Sequence, residues 1–282
     1  KLRCVEPDEA KQILDSIHNE ECGNHTGGRS LACKIRRLGY FWPTMNEDAI
    51  DHARRCDVCQ RHAPVPKQPS EFLHSTLPPW PFMRWGMDIV GKLPPAPGQQ
   101  VFFLAMTDYF SKWIEAEAYS QVKEKHVISF IKRNILCRFG VPSEIVCDNG
   151  SQFIGSKTRE FCARWNITLV TSTPRYPQAN GQAESSNKII INNLKKRLKD
   201  AKGQWADHLP YILWSDRTTP KTATGQSPFS LVYGCEAVVP IEILIPTARY
   251  EFQTPEQNKV ELSHNLDTID EVREKARGRM IK

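Results

Sequence analysis

The chain has 282 residues, a net charge of +6 and 25% charged residues, which is ordinary for a globular protein with room for more than one domain. Its nine cysteines are odd in number and scattered, which argues against a disulfide framework and favours a reducing compartment. No apolar run approaches the ~18 residues of a membrane span, so we expect no membrane partner. The chain begins at Lys1 and not at Met, which favours a segment of a larger polyprotein.

Residues 1–62 are predicted to form a small helical domain. Hydrophobic periodicity predicts helices over Glu9–Ile17, Arg29–Leu38 and Met45–Arg54. Residues 63–81 contain six prolines, a density that predicts an extended linker.

From residue 82 to 244 the pattern predicts a mixed α/β domain, followed by a helical tail over 245–282. Strands are expected over Met87–Val90, Val101–Thr107, Trp113–Ala118, Glu144–Cys147 and Thr168–Thr173. Helices are expected over Lys123–Arg138, Lys157–Trp165, Gln178–Lys199 and Gln204–Thr218. Three antiparallel strands followed by alternating helices and strands predict a mixed five-stranded sheet with helices on both faces.

Two histidines and two cysteines in the first domain have the spacing of a zinc site. Six residues lie between His18 and His25, and 30 more lie between His25 and Cys56-x2-Cys59. Imidazole nitrogen and thiolate sulfur are the ligands that close a tetrahedral structural zinc site. A helical domain of this size has a small hydrophobic core, and a bound zinc ion would stabilise its fold. The alternatives are ordinary surface histidines with buried cysteines, or a redox Cys-x2-Cys pair.

Three acidic residues have contexts suited to divalent metal. Asp88 lies within an apolar strand, where an unpaired charge is costly. Asp148 follows a strand and precedes Asn149-Gly150, a turn signal, and 35 residues separate it from Glu184 at the start of a helix. Three converging carboxylates could hold two Mg²⁺ ions ~4 Å apart for in-line displacement at phosphorus. Taken singly, each is equally compatible with a turn or capping role.

The helix after Glu184 has two different faces. Ala183, Asn187, Ile190, Leu194 and Leu198 form a stripe that would face the core. The segment after Glu184 carries positive side chains that predict phosphate contacts, or else a solvated surface. They are Lys188, Lys195, Lys196, Arg197, Lys199 and Lys202. In the tail, Leu262, Leu266, Ile269, Val272 and Ala276 recur at helical spacing, which suits either oligomerisation or packing on the chain's own core.

Longer motifs extend the pattern beyond these candidate ligands. They are Tyr40-Phe41-Trp42-Pro43, Cys59-Gln60, Cys147-Asp148-Asn149-Gly150-Ser151-Gln152-Phe153, Tyr176-Pro177-Gln178-Ala179-Asn180-Gly181-Gln182-Ala183-Glu184, and Ser227-Pro228-Phe229 to Tyr233-Gly234. On these motifs, residues 10–240 closely resemble a retroviral-type integrase, in particular that of gypsy-class long-terminal-repeat retrotransposons of plants.

The resemblance implies an RNase H-like core with Asp88, Asp148 and Glu184 as a DD35E-type triad for Mg²⁺ or Mn²⁺. It also implies Zn²⁺ on the histidines and cysteines. The implied activity is that of a polynucleotidyl transferase that trims the 3′ ends of element DNA and joins them to target DNA. The implied partners are double-stranded DNA and further copies of the chain. The implied site of action is the nucleus, and before that the protein would be part of a cytoplasmic particle.

The resemblance also implies a set of residues close to DNA, which the basic helix extends. They are Asn149, Gly150, Tyr176, Gln178, Asn180, Lys188, Lys195, Lys196 and Lys199. A second DNA-contacting lysine of the family falls at Ile191, and the family's C-terminal DNA-binding domain is not recognisable in residues 245–282.

Two other functions remain open from the sequence. An RNase H-fold nuclease acting on RNA–DNA hybrids would need a fourth carboxylate and no histidine–cysteine domain. A catalytically silent or domesticated integrase fragment would serve as a zinc-dependent DNA-binding or assembly module. That module would keep its function without Asp88.

Overall fold

The computed structural model describes residues 2–19, 25–61, 78–171, 187–194, 203–247 and 254–281. The chain divides into two compact units, one of residues 1–67 with 214–280 and one of residues 68–213. Within the described ranges, no helix combines the length and hydrophobicity needed to cross a bilayer. The domain boundaries expected at residues 62, 81 and 244 remain predictions.

In residues 2–19 and 25–61, the first unit contains four helices and a pair of parallel strands. They are β1 (Arg3–Cys4), α1 (Pro7–Asn19), α2 (Gly28–Arg37), β2 (Tyr40–Phe41), α3 (Met45–Arg55) and α4 (Asp57–Arg61). The three helices predicted here are confirmed. Their apolar stripes meet in one core, where Ile13, Leu31 and Ile35 are fully buried.

The second unit is built on a five-stranded mixed sheet. Its strands are β3 (Arg84–Ala96), β4 (Gln100–Asp108), β5 (Ile114–Tyr119), β6 (Glu144–Cys147) and β7 (Thr168–Thr171), in the order β5-β4-β3-β6-β7. Strands β3, β4 and β5 pair antiparallel, and β6 and β7 join them in parallel. The predicted RNase H-like mixed sheet is therefore confirmed. Strand β3 is longer than predicted, because it pairs with β4 on one side and with β6 on the other.

Helices of the second unit follow the strands in chain order. They are α5 (Glu124–Phe130), which continues as a π-helical turn (Ile131–Leu136) into α6 (Cys137–Phe139), then α7 (Ser151–Ile154), α8 (Ser156–Arg164), α9 (residues 187–194) and α10 (Trp205–Thr218). The division between the units falls within α10, after Leu213. Helix α9 is the described part of the helix predicted from Gln178. Its stripe of Asn187, Ile190 and Leu194 is buried, as the pattern predicts. Phe103 of β4 and Trp205 of α10 pack in the same cluster as this stripe.

A C-terminal segment completes the core of the first unit. It contains α11 (Pro228–Tyr233) and α12 (Ile241–Leu244). Val239, Ile241 and Ile245 are buried in the same cluster as the N-terminal helices. The Tyr40 hydroxyl donates to the Ile245 carbonyl, and Arg37 Nη1 lies 2.9 Å from Glu236 Oε1. The N-terminal helices thus share one core with residues from the far end of the chain.

The tail forms one long helix, α13 (Pro255–Ile281), whose two halves differ. Ile269 and Ala276 are buried, and Arg273 Nε donates to the Leu231 carbonyl at 3.0 Å. Leu262 and Leu266 are 45% and 53% exposed. The predicted stripe therefore packs on its own unit in its second half, and its role in oligomerisation stays a prediction.

Candidate metal centres

The four predicted zinc ligands converge in the N-terminal unit. His18 lies at the end of α1, and His25 precedes α2. Cys56 lies between α3 and α4, and Cys59 lies within α4. One ligand atom from each residue can be chosen so that all four lie within 4.8 Å of one another. His18 is fully buried and the other three are half-buried.

Local backbone geometry explains why these residues meet. His25 has a left-handed φ of 46°, a conformation that histidine adopts more readily than most residues. Its N–H donates to the His18 carbonyl at 3.2 Å, which folds the chain back so that the two rings lie 5.0 Å apart. The extended backbone of Cys56 ends α3, and the next helical turn brings Cys59 alongside it.

The distances between donor atoms fit tetrahedral zinc. Cys56 Sγ lies 3.3 Å from His25 Nδ1, and Cys59 Sγ lies 3.3 Å from His18 Nε2. Zinc–sulfur and zinc–nitrogen bonds of the usual lengths at a tetrahedral angle would separate such atoms by about 3.5 Å. The donor set is two nitrogens and two sulfurs, so these four residues would hold Zn²⁺ as a closed structural site.

Sheet register brings Asp88 and Asp148 together. In the parallel pair of β3 and β6, Trp85 is opposite Ile145 and Gly86 is opposite Val146. Two residues further along each strand are Asp88 and Asp148, and residues two apart in a strand share a face. Neighbouring strands are about 4.8 Å apart, so this register directs both carboxylates to the same face of the sheet, close to the point where β6 ends.

The backbone after β6 presents the Asp148 carboxylate to solvent. Asp148 is exposed, and its Oδ1 accepts a hydrogen bond from the Gly150 N–H at 2.8 Å. A Cβ at Gly150 would lie 2.9 Å from that oxygen and 2.5 Å from Gln152 Nε2, so a side chain there would displace the ends of both neighbours. Glycine at this position therefore leaves room for the Asp148 carboxylate to reach the Gly150 N–H.

Asn187 orients the other carboxylate, a role that the sequence pattern did not reveal. Its Nδ2 donates to Asp88 Oδ2 at 2.7 Å, while Asp88 Oδ1 accepts from the Ile89 N–H. Asn187 is 3% exposed, and its Oδ1 has no hydrogen-bond partner among the described residues. The stripe analysis placed Asn187 only in the core. An amide in an otherwise apolar stripe, three residues after Glu184, was the signal that could have identified it.

Two other groups of the sheet unit have raised pKa values. Asp108 is fully buried, and burial raises its pKa even though the N–H groups of Phe82 and Ser111 donate to its oxygens. It closes the turn after β4, opposite Trp85 and three residues along β3 from Asp88. Burial raises the pKa of the Cys147 thiol to about 12, so the thiol beside Asp148 stays protonated at neutral pH. No activated cysteine nucleophile is present at this position.

The remaining predicted site residues divide into two groups. Asn149 and Gly150 lie in the turn that carries Asp148, and Lys188 is exposed on α9 directly after Asn187. The others lie outside the described residues, and their roles stay predictions. They are Glu184, Tyr176, Gln178, Asn180, Lys195, Lys196 and Lys199.

Two protein families match consecutive parts of the chain. The family described as "Integrase zinc binding domain" matches residues 5–65, which contain the four histidine and cysteine ligands. The family described as "Integrase core domain" matches residues 78–177, which contain Asp88 and Asp148.

Similar proteins are polyproteins of retroviruses and of a transposon. The Gag-Pol polyprotein of avian reticuloendotheliosis virus is 28% identical over 233 residues, which is 81% of this chain and 19% of the polyprotein. The Transposon Tf2-3 polyprotein of Schizosaccharomyces pombe is 26% identical over 243 residues, covering 83% of this chain and 18% of the polyprotein. The chain thus spans about a fifth of the length of these relatives.

A solved structure shares the fold. It is a chain of the simian T-cell lymphotropic virus intasome in complex with PP2A regulatory subunit B56 gamma, with a TM-score of 0.57 and 19% identity over 82% of this chain and 74% of that chain. Each of the two candidate centres described above lies within one of the two matched domains. The chain therefore contains an integrase zinc-binding domain followed by an integrase core domain, and its relatives are polyproteins of retroviruses and of a transposon.

Proposed function

We propose that this chain catalyses metal-dependent 3′-end processing and strand transfer of retrotransposon DNA, as a polynucleotidyl transferase of the gypsy class. The observation that carries the proposal is the register of β3 and β6, which directs a half-buried Asp88 and an exposed Asp148 to one face of the sheet. Carboxylate pairs of this kind suit Mg²⁺ or Mn²⁺ and leave coordination positions open for phosphate.

Asp88 and Asp148 would hold the metal ions, with Glu184 as the third carboxylate. Glu184 precedes Asn187 by three residues, and residues three apart lie on one face of a helix. Asn187 contacts Asp88, so a helix continued back from α9 would carry Glu184 on the same side. When bound, the ions supply activation of the attacking oxygen and stabilisation of the leaving oxygen.

The chain's own residues orient these carboxylates and contact the DNA. Asn187 fixes one oxygen of Asp88, and the Gly150 N–H fixes one oxygen of Asp148. The Cys147 thiol, with its pKa near 12, gives no reason to invoke a covalent protein–DNA intermediate. Lys188 is exposed one residue beyond Asn187 and would contact phosphate, a contact that carries little sequence information.

The partners in this proposal are the element ends, the target duplex and further copies of the chain. Two DNA ends must be held together for joining, which favours an oligomer. The site of action would be the nucleus, which the protein would reach from a cytoplasmic particle. Tyr176, Gln178, Asn180, Lys195, Lys196 and Lys199 would extend the DNA-binding surface.

A disintegration assay with a branched DNA oligonucleotide tests the proposal. This reverse reaction tests the chemistry of the core domain directly. We expect Mg²⁺- or Mn²⁺-dependent resolution by the wild type. Asp88→Asn should lose resolution while keeping DNA binding, because Asn preserves the shape of the side chain and removes the charge that holds the metal.

The control variant is Asp267→Asn, which removes an equivalent charge from an exposed position of α13. It should resolve the substrate like the wild type. An Asp88→Asn variant that keeps more than a few per cent of wild-type activity would sink the assignment of the triad. A folded, zinc-loaded wild type that binds DNA but resolves nothing would instead support the DNA-binding or assembly module.

A further inference from the structure

Glu124 supplies a helix cap to an element other than its own. It is the first residue of α5, and its Oε2 accepts hydrogen bonds from the N–H groups of Lys157 at 3.0 Å and Thr158 at 3.2 Å. These are first-turn N–H groups of α8, which have no partner within the helix. The residue before α8 is Gly155, which has no side chain to act as a cap. The negative charge of Glu124 also suits the positive end of the helix dipole.

Gly155 leaves the space that the Glu124 carboxylate occupies. A Cβ at Gly155 would lie 2.2 Å from Glu124 Cδ and 2.3 Å from its Oε2. The φ of Gly155 is −59°, an angle open to any residue, so backbone conformation does not require glycine here. The space occupied by the carboxylate is the reason for it.

The first turn of α8 in turn holds α7. Thr158 is fully buried, and its Oγ1 donates to the Gln152 carbonyl at 3.2 Å. Arg159 Nε donates to the Ile154 carbonyl at 2.8 Å. Helix α7 starts directly after Gly150, and the Phe153 N–H returns to the Gly150 carbonyl at 2.8 Å. The corner between α7 and α8 is thereby tied to the turn that carries Asp148.

We propose that Glu124 is a positioning residue for the Asp148 carboxylate. It does not touch metal or DNA in this inference, which rests on the proposed function. Its path of action runs through α8 and α7 to Gly150, whose N–H holds Asp148 Oδ1. Without the cap, the turn that carries Asp148 is less ordered before a metal ion binds. Ordering the turn then costs free energy, which weakens divalent-metal binding.

The test compares four variants in two readouts. The variants are Glu124→Ala, Glu124→Gln, Gly155→Ala and the double variant Glu124→Ala/Gly155→Ala. The first readout is the Mg²⁺ concentration that gives half-maximal disintegration. The second is the rise in Tm on adding Mn²⁺, which needs no DNA and no turnover. Lys125→Ala, an exposed neighbour on α5, is the matched control and should match the wild type in both.

We expect Glu124→Ala to raise the half-saturating Mg²⁺ concentration about fivefold, the factor that corresponds to loss of a typical helix cap. Glu124→Gln keeps an oxygen acceptor at the same place and should recover most of the loss. Gly155→Ala should resemble Glu124→Ala, because the new methyl group expels the carboxylate. The double variant should be no worse than either single one, since groups in contact do not act additively.

Two results would overturn the inference. If Glu124→Ala lowers Tm but leaves both metal readouts unchanged, the cap stabilises α8 and positions nothing. An additive double variant would show that Glu124 and Gly155 act separately.

Two further results separate the inference from the proposed function. An inactive wild type whose Mn²⁺ response still depends on Glu124 would support the positioning role while the proposed function fails. A wild type with no Mn²⁺ response and no activity would remove the metal site that Glu124 is meant to serve.

Discussion

The two candidate metal centres of this chain are assembled in different ways. The histidine–cysteine centre draws its ligands from residues 18–59, and short-range backbone geometry brings them together. In the proposed carboxylate centre, Asp88 is related to Asp148 by strand register and is bound by the Asn187 side chain, 99 residues away. The first centre adds to a small helical core, so loss of its metal should affect folding. The second lies on a sheet with its own core, so loss of its metal should affect catalysis and leave the fold intact.

Loss of a zinc ligand should have the largest effect. Cys56→Ser should release zinc and unfold the N-terminal helices, since zinc binding contributes roughly 10 kcal/mol to folding in small zinc modules. Zinc content by atomic absorption and hydrogen exchange in α1 measure the two effects. Cys33→Ser, at an exposed position of α2, is the control and should keep its zinc. Stoichiometric zinc and full protection of α1 in Cys56→Ser would break the contrast between the centres.

Truncation of a single side chain should show whether residues 214–247 belong to the zinc-bearing core. Ile241→Ala should lower the free energy of unfolding by about 2–5 kcal/mol, because Ile241 is buried among the N-terminal helices. Denaturant unfolding followed by far-UV circular dichroism measures the loss. Ile243, two residues away and 61% exposed, provides the control variant Ile243→Ala, which should be nearly neutral. Equal losses from the two variants would contradict the shared core.

Asn187→Ala should sharpen the picture of the carboxylate centre. Loss of a group that orients a metal ligand typically costs about 10- to 100-fold in metal affinity or activity. We expect a raised half-saturating Mg²⁺ concentration in the disintegration assay with an unchanged zinc content. Asn192→Ala, exposed on the same helix, is the control. An Asn187→Ala variant with normal Mg²⁺ dependence would show that its hydrogen bond to Asp88 is only structural.

Lys188→Ala should have the smallest effect. Removing one phosphate contact should weaken DNA binding about equally for all sequences and reduce the slope of log K against log salt by about 1. Fluorescence anisotropy across a salt series measures both quantities. Lys259→Ala, exposed on α13, is the comparison variant. An unchanged slope would place Lys188 on a solvated surface, the other interpretation of the basic helix.

Local patterns predicted one centre almost completely and the other in part. The sequence predicted the four zinc ligands because their spacing alone is typical of a tetrahedral site. It predicted Asp88 because a charge within an apolar strand is unusual, and Asp148 because it stands between a strand and a turn signal. The contacts of Asn187 and of Glu124 could not be predicted in this way, since each contacts a residue at least 33 positions away and no sequence periodicity links the two partners. The burial of Ile241 among the N-terminal helices was missed for the same reason.

That shared core has a consequence for the order in which the protein is made. The N-terminal helices leave the ribosome first, yet Val239, Ile241 and Ile245 fill part of their interior. Those helices must therefore wait for some two hundred further residues to be synthesised before their core is complete. The sheet unit draws its strands and helices from residues 68–213 and needs no such distant segment. Since contacts between distant residues form slowly, we expect the middle of the chain to fold before its beginning.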